Sequence, residues 1–360
     1  MSRQPAFKAA AMHVAPVFLD TPATVDKACA LIAEAARNGA RLAAFAETWI
    51  SYFPVWCALR APIRNHDFFR AAAGAAMRVD GPEMAAIRAA ARKAGIVVSL
   101  GFNEGTEASV GCLWNSNVLI GPDGAILNHH RKLVPTFWEK LVWANGDGAG
   151  LRVCETPLGR VGMLICGENT NPLARFTMIA QGEQVHVASF PPVWPTKDPR
   201  ESGRYDLASA TRIRCGAHAV EGKLYNVVVS SFMDRAMRDA LAKGEPEVAR
   251  ILDDSPRGVS MVLGPDGEPV SEVVADEERI LYADIDLERC VELKQIHDLS
   301  GYYNRFDVFK LTVDRSAHRP VRFEDESEDE RAAPELEASE GARDAASTPA
   351  RAAAMPRGAR

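Results

Sequence analysis

The stretch Val161-Gly162-Met163-Leu164-Ile165-Cys166-Gly167-Glu168-Asn169 places a cysteine directly after a short apolar run. The run predicts a buried strand at 161–165, and Pro172 predicts the first turn of a helix over 172–181. At such a junction the strand fixes the backbone of Cys166. The helix N-terminus favours a thiolate and a lowered thiol pKa, as a nucleophile requires. The position alone leaves open the commoner outcome, in which the cysteine is a small buried hydrophobe.

Outward from this junction, apolar runs alternate with helical patterns along most of the chain. Gly-Pro-Asp-Gly occurs at 121–124 and again at 264–267, and each copy predicts a hairpin. Two halves of this kind predict an α/β body of two similar mixed sheets with helices on their outer faces. No GxGxxG or GxxxxGKS/T motif follows a strand, which argues against a doubly wound nucleotide-binding sheet. The predicted strands are 7–17, 42–46, 96–102, 113–120, 125–129, 161–165, 185–190, 225–231 and 259–263, and the predicted helices are 21–38, 82–93, 172–181 and 205–220.

Charge is unevenly distributed along the 360 residues, whose formal net charge at pH 7 is −6. The segment from Phe323 onward carries ten acidic and five basic residues, so the body before it has a net charge of only −1. Residues 323–360, acidic at first and then rich in Ala and Arg, are predicted to be a disordered tail because they bury too little apolar surface. Residues 1–320 are predicted to form one folded domain. The nearly neutral body argues against nucleic acid or a membrane surface as a partner.

The sequence pattern lacks the signals of membrane insertion and export. No apolar run approaches the ~18 residues that a membrane span requires. The apolar stretch 9–19 is interrupted by His13 and Pro16 and lacks a small-residue cleavage pattern, so no signal peptide is expected. Seven cysteines without a CxxC pair or a short-spaced framework indicate reduced thiols. The sequence therefore predicts a cytoplasmic protein.

Two further strand ends carry side chains that could assist a thiol. Glu47 follows the apolar run 42–46, where a part-buried carboxylate suits a general base; a helix cap or a solvated strand end is the alternative. Lys132 ends the run His129-His130-Arg131-Lys132, either in a solvated basic loop or beside a developing anion. Adjacent histidines on a strand point to opposite faces, and no HExxH or cysteine cluster completes a site. No metal centre is therefore predicted.

Glu47, Lys132 and Cys166, in this order, resemble the Glu-Lys-Cys triad of the nitrilase (carbon–nitrogen hydrolase) superfamily. The resemblance spans residues 7–312 and excludes the tail. It includes three motifs around the triad and one segment that is similar to the C-terminal region of true nitrilases. These are Phe45-Ala46-Glu47-Thr48 with Phe53-Pro54-Val55-Trp56, then 130–136 with Glu139 and Gly146-Asp147-Gly148, then 166–175 in its nitrilase-branch form, and finally 301–308.

The resemblance implies a four-layer αββα sandwich that hydrolyses an organic nitrile to a carboxylic acid and ammonia. It implies Cys166 as the nucleophile and Glu47 as the general base. Lys132 is then the group that stabilises the tetrahedral intermediate, and Glu139 orients Lys132 or the water. It also implies no cofactor, and a homodimer or larger spiral homo-oligomer as the assembly. The substrate-binding residues carried over in the same way, whose aromatic character favours an apolar or aryl-bearing nitrile, are Phe53, Thr136, Trp138, Trp143, Gly167 and Trp194.

The sequence departs from the family pattern at positions outside the triad. Gly167 stands where many nitrilases carry a tryptophan directly after the nucleophile, and Ala46 stands where proline is common. Tyr302 and Phe306 replace the usual His and Pro of the C-terminal segment. Gly167 opens space beside the thiol, so this departure affects which substrate is expected and not which class of reaction. An amidase of the same superfamily, and a non-catalytic assembly or binding protein on the same scaffold, stay open as alternatives.

Overall fold

Two β-sheets lie at the centre of the protein, in a computed structural model that describes residues 4–107, 109–203 and 205–318. The tail predicted at 323–360 lies outside the described residues, so it stays a prediction, as does the domain boundary at residue 320. Along the first sheet the strands lie in the order Arg279–Asp286 (β11), Ala6–His13 (β1), Ala40–Ala44 (β2), Val97–Glu104 (β3), Trp114–Ile120 (β4) and Ile126–Arg131 (β5). Along the second they are Met261–Leu263 (β10), Tyr225–Ser230 (β9), Val185–Phe190 (β8), Gly159–Ile165 (β7) and Cys154–Thr156 (β6).

Both sheets are mixed, with a parallel part and antiparallel neighbours. Strands β1, β2 and β3 are parallel, while β4, β5 and β11 are antiparallel to their neighbours. Strands β7, β8 and β9 are parallel, with Val161 opposite Val185 and Val185 opposite Tyr225. Parallel strands end at the same edge of their sheet, and β5, two antiparallel steps from β3, ends at the edge where β2 and β3 end. A site can therefore form where the chain leaves the ends of strands β2, β5 and β7.

The helices cover the outer faces of the two sheets. Asp20 caps the first helix by accepting a hydrogen bond from the amide of Ala23, and Gly95 ends the fourth helix in the left-handed conformation. No helix within the described ranges is long and apolar enough to cross a membrane. The helices are Thr21–Arg37 (α1), Trp56–Leu59 (α2), His66–Gly74 (α3), Pro82–Ala94 (α4), Pro172–Ala180 (α5), Leu207–Gly222 (α6), Arg235–Ala242 (α7), Pro246–Asp254 (α8) and Glu288–Lys294 (α9).

The alternation of side chains along the strands explains how four layers pack. On β8, Val185 and Val187 belong to the core between the two sheets, while Ala188 and Phe190 belong to the core beneath α5 and α6. Helices α1 and α4 pack together on the other face of the first sheet. The order of layers is helix, sheet, sheet, helix, as the resemblance implied, so the predicted αββα sandwich is confirmed.

Two local predictions, the end of strand β1 and the second hairpin, are wrong. Strand β1 ends at His13 and not at residue 17, because Pro16 has no amide hydrogen and the amide of Ala15 donates to the Glu278 carboxylate. The second Gly-Pro-Asp-Gly turn forms, but no full strand follows it to complete a hairpin like the first. The chain instead crosses to the first sheet, where β11 pairs with β1.

Candidate active site

Three strand ends deliver the three side chains of the predicted triad. Glu47 lies three residues beyond β2, Lys132 follows β5 directly, and Cys166 follows β7 directly. The amide of Lys132 still donates to the carbonyl of Asn115 on β4, 2.8 Å away, so the backbone after β5 stays in register with the sheet. The two sheets thus contribute one site between them, with the carboxylate and the ammonium from the first and the thiol from the second.

Lys132 joins two carboxylates in a fully buried cluster. Its Nζ lies 2.7 Å from Oε1 of Glu47 and 2.6 Å from Oε2 of Glu139. A carboxylate oxygen of Glu47, one of Glu139 and the Sγ of Cys166 all lie within 4.8 Å of one another. The structure therefore brings together all four residues that the sequence analysis proposed as catalytic. Glu139, which a sequence alone would place on the surface, is completely buried.

Each carboxylate of this cluster uses one oxygen and leaves the other without a hydrogen-bond partner. Oε1 of Glu47 also accepts from the Asn115 side chain at 2.7 Å, and Oε2 of Glu139 accepts from the amide of Thr136 at 2.8 Å. Within the described part of the chain, Oε2 of Glu47 and Oε1 of Glu139 are buried and unpaired. A buried, unpaired oxygen is costly and is ready to accept a proton or to bind water.

The pKa values of these groups follow from burial and neighbouring charge. Burial opposes the charged form of Lys132, but the carboxylates of Glu139 and Glu47 outweigh it and hold the pKa of Lys132 above its ordinary value. Burial raises the pKa of Glu139 to about 7, against the attraction of Lys132. Burial and the carboxylate of Glu47 also raise the pKa of Cys166, although Lys132 opposes them. The lowered thiol pKa expected from the sequence is therefore wrong for the resting site, in which the thiol is protonated.

The backbone of the site contains residues in the left-handed region, which costs energy for any residue but glycine. Cys166 has φ 49°, Thr48 beside Glu47 has φ 41°, and Phe137 between Thr136 and Trp138 has φ 52°. Cys166 begins a 3₁₀ turn, Cys166–Thr170, so helix α5 begins only after it, at Pro172. Strained conformations of this kind persist where the surrounding structure holds a functional group in place.

A cavity of about 650 Å³ opens beside the thiol. Three of the predicted substrate-binding residues line it together with Cys166, namely Thr136, Gly167 and Trp194. A Cβ atom at Gly167 would lie 2.9 Å from Oγ1 of Thr136, so the glycine keeps this part of the cavity open.

The other three predicted substrate-binding residues do not line the cavity. Phe53, Trp138 and Trp143 form a buried aromatic cluster behind Trp194, whose ring lies 4.6 Å from that of Trp138 and 6.0 Å from that of Phe53. They pack against Trp194 and so support the cavity wall. The sequence could not show this, because an aromatic residue in a cavity wall and one in the layer behind it look the same in a sequence.

Comparison with known proteins decides the family. Residues 8–295 match the family described as Carbon-nitrogen hydrolase. The chain belongs to the carbon–nitrogen hydrolase family. This hydrolase is 35% identical over 319 residues to an arylacetonitrilase from Hypocrea virens, a match that covers 88% of this chain and 94% of that protein. It is 37% identical to a cyanide hydratase from Gibberella zeae (86% of each chain) and 33% identical to an aliphatic nitrilase from Rhodococcus rhodochrous (88% of this chain and 81% of that one).

Solved structures share the fold of this carbon–nitrogen hydrolase. The NitFhit protein of C. elegans superposes with a TM-score of 0.65 at 18% identity, covering 89% of this chain and 70% of that one. A carbon-nitrogen hydrolase from Helicobacter pylori superposes with a TM-score of 0.63 at 21% identity, covering 81% and 92%. At this level of identity the likeness concerns the fold alone.

One carboxylate that the sequence analysis did not select holds the site of this hydrolase together. Glu168 is buried and accepts hydrogen bonds from the amides of Ile165 (2.8 Å) and Leu133 (2.7 Å) and from Nε2 of His130 (2.9 Å). Its carboxylate thus links the residue before Cys166 to the residue after Lys132. The sequence offered no capping signal for Glu168, because the residue three positions before it is Ile165, which lacks the side-chain oxygen of a capping box.

Among the residues that the structure describes, two groups of side chains are close enough to share a cation. In the first, Glu47, Glu139 and Cys166, the ammonium of Lys132 already supplies the positive charge. In the second, the Glu183 carboxylate lies 2.7 Å from Nδ1 of His186 and 3.0 Å from Nε2 of His218 on its far side. The first contact is a hydrogen bond, whereas Oε2 of Glu183 and Nε2 of His218 touch without hydrogen-bond geometry, so the second group is a buried polar cluster.

Proposed function

We propose that this carbon–nitrogen hydrolase is a nitrilase, which converts an organic nitrile and two waters to a carboxylic acid and ammonia. The named relatives act on arylacetonitriles, aliphatic nitriles or cyanide, so the carbon–nitrogen triple bond is the group that their substrates share. The observation that carries the proposal is the cluster itself. A buried thiol, a buried cation and a carboxylate with one unpaired oxygen lie within a few ångströms of each other.

The first half of the reaction forms a covalent intermediate. The thiol of Cys166 transfers its proton to Oε2 of Glu47 as its sulfur attacks the nitrile carbon, because the resting thiol is neutral. The proton passes to the nitrile nitrogen, and the product of this half is a thioimidate. Sulfur is suited to this step since the nitrile carbon is neutral and needs a strong, polarisable nucleophile.

The second half releases ammonia and then the acid. Glu47 removes a proton from a water that adds to the thioimidate carbon, giving a tetrahedral intermediate beside the ammonium of Lys132. Such a preorganised charge is worth a few kcal/mol, by analogy with oxyanion-hole donors. The nitrogen takes this proton from Glu47 and then the hydroxyl proton of the intermediate, so that ammonia departs and leaves a thioester. A second water hydrolyses the thioester to the carboxylic acid and the free thiol. Glu139 holds Lys132 in place through the 2.6 Å contact and offers its unpaired Oε1 to the water.

The cavity favours a nitrile with a sizeable apolar or aryl part over a very small one. Its volume of about 650 Å³ is in the range of ordinary ligand pockets, far larger than cyanide needs. Trp194 and Leu207 provide an apolar wall, and Gly167 leaves space next to the sulfur. The proposed chemistry uses side chains and water only. The homodimer or larger spiral homo-oligomer and the cytoplasmic location stay predictions.

Ammonia release from aliphatic nitriles, aryl nitriles, arylacetonitriles and the matching amides tests the proposal, with products identified by mass. We expect acids from nitriles in the wild type and no turnover in Cys166→Ala. Cys29→Ala is the matched control, because Cys29 is a partly exposed thiol on helix α1. Turnover of amides alone would place the protein in the amidase branch. No turnover of any substrate by the folded protein would support a non-catalytic binding role.

A further inference from the structure

Arg214 is a buried cation on the wall of the catalytic cavity. It lies on helix α6, is 9% exposed, and lines the cavity together with Cys166, Gly167 and Trp194. Its charge also reaches the thiol. Burial raises the pKa of Cys166, and Arg214 is among the cations that oppose that rise. The positive charge of Arg214 therefore interacts with any molecule bound in the cavity.

Arg214 has no acidic partner within the described ranges. Its Nε donates to the carbonyl of Ala210 at 2.8 Å, one Nη to Oγ1 of Thr170 at 3.3 Å, and the other Nη to the hydroxyl of Tyr205. All three acceptors are neutral. A guanidinium has five N–H donors, so one hydrogen on each Nη is left without an acceptor among these residues.

A second buried arginine shows how this chain neutralises a buried guanidinium that has a purely structural role. Arg175 on helix α5 is 8% exposed, nearly the same as Arg214. Its guanidinium forms a two-point pair with the carboxylate of Glu221, at 3.0 and 3.1 Å. Burying a charge without such a partner is costly, so the absence of one at Arg214 needs a reason.

The acids around the cavity are already engaged. Glu168, which also lines the cavity, accepts from His130 and from two backbone amides. Glu47 and Glu139 are bound to Lys132. The rings of Phe190 and Tyr205 lie 5.5 and 6.0 Å from the Arg214 guanidinium and shield it from water on those sides. Within the described residues, none of these acids pairs with Arg214.

We propose that Arg214 binds an anionic group of the substrate, so that the preferred nitrile carries a carboxylate in addition to its carbon–nitrogen triple bond. This inference rests on the proposed nitrile hydrolysis and specifies its substrate class. The planar, two-pronged guanidinium matches a carboxylate in geometry, and a charge-assisted pair is stronger when the guanidinium is buried, as it is here. The nitrile carbon then meets Cys166 while the carboxylate is held at Arg214.

The test compares pairs of nitriles that differ only in the anion, para-carboxyphenylacetonitrile with para-methylphenylacetonitrile and cyanopropanoate with butanenitrile. The readout is the ratio of kcat/KM for the anionic nitrile to that for its neutral counterpart. We expect wild type to prefer the anionic member of a pair. In Arg214→Gln the ratio falls by about 30-fold or more, mainly through KM, which is the scale for removing one member of a buried charge pair. Arg214→Lys retains more of the ratio than Arg214→Gln, since the charge is kept.

Arg212→Gln is the matched control, because Arg212 lies exposed on the same helix and pairs with Glu268. Its ratio should equal that of wild type. A purely structural role for Arg214 would lower both members of a pair equally and leave the ratio unchanged, and that result overturns the inference. A wild-type preference for the neutral nitriles overturns it as well.

Failure of the proposed nitrile hydrolysis is distinguishable from failure of this inference. If wild type hydrolyses none of the nitriles, the binding of para-carboxyphenylacetate is measured by calorimetry on wild type, Arg214→Gln and Arg212→Gln. Binding that weakens about tenfold or more only in Arg214→Gln supports an anion site. Equal binding by all three proteins, or none, overturns it.

Discussion

Replacing Glu168 by glutamine tests whether this carboxylate holds the two halves of the active site together. The substitution keeps the size of the side chain but turns one carboxylate oxygen into an amide NH₂. The oxygens of Glu168 face three N–H donors, those of Ile165, Leu133 and His130. Whichever way the new amide points, its NH₂ opposes at least one of the two backbone N–H groups.

The cost follows from these contacts. A buried donor left unpaired costs about 1–3 kcal/mol, and a hydrogen bond to a charged group contributes about 1.5–3 kcal/mol. Partial retention by the remaining oxygen brings the expected loss in unfolding free energy to about 2–4 kcal/mol. In a chain of this length, about 2 °C of Tm corresponds to each kcal/mol, so Tm should fall by about 4–8 °C.

The same substitution should slow the chemistry, since Ile165 precedes Cys166 and Leu133 follows Lys132. A shift of the thiol relative to the ammonium misaligns the reacting groups, and we expect kcat to fall about 10- to 100-fold. Thermal unfolding and ammonia release are measured on wild type, Glu168→Gln and Glu155→Gln. Glu155 is the control because its side chain is 80% exposed.

The pH dependence gives a separate check. Burial opposes the charged form of Glu168, but His130 and the two backbone amides outweigh it and lower the pKa of this carboxyl. The stability it contributes is therefore present above the unfolded value of about 4.3 and is lost as pH falls through the lower folded value. The Tm difference between wild type and Glu168→Gln should shrink in that acidic range. A Glu168→Gln protein whose Tm and kcat match those of Glu155→Gln at pH 7 would refute the reasoning.

Three further outcomes follow from the buried cluster. Lys132→Met leaves two carboxylates buried without their cation and should cost about 3–5 kcal/mol in unfolding free energy, whereas exposed Lys140→Met should cost little; equal Tm values for the two variants would contradict this. Burial raises the pKa of Glu139 to about 7, so the folded state binds the proton of this carboxyl more tightly than the unfolded state does. The unfolding free energy that this proton contributes falls as pH rises from about 4.5 to 7. Denaturant titrations of Glu139→Gln should therefore lack this pH-dependent part of the unfolding free energy. Gly167→Ala places a Cβ atom 2.9 Å from Thr136 Oγ1, so KM for bulky nitriles should rise about tenfold or more relative to small ones, and a uniform change across the series would exclude steric narrowing.

Local patterns predicted most of the elements. The strand at Val185–Phe190 has the predicted bounds, and α1 begins at the predicted Thr21 behind its Asp20 cap. Such elements depend on side-chain alternation, capping and turn residues within a few positions. The prediction of a second hairpin was wrong because strand pairing there does not depend on local residues. Its turn is local, but the pairing of β11 with β1 joins segments more than 260 residues apart.

The substrate cavity was predicted less well than the catalytic cluster. The aromatic residues were found in the sequence, but Phe53, Trp138 and Trp143 lie behind the wall. Glu168 and Arg214 were not selected, although both line the cavity. A glutamate or an arginine in a sequence is most often exposed, and nothing within a few residues shows that these two are buried.

The sequence by itself determined which residues can carry the chemistry, because Glu47, Lys132 and Cys166 each lie at or just past the end of a strand. It also determined the order of layers, because alternating strands and helices leave few ways to bury their apolar faces. Only the tertiary structure decided the charges of the site. Glu47 and Lys132 are 85 residues apart in the chain, yet they meet at 2.7 Å with both side chains fully buried. Burial and contact at that distance set the protonated thiol and the raised pKa of Glu139, and neither is encoded in any local pattern.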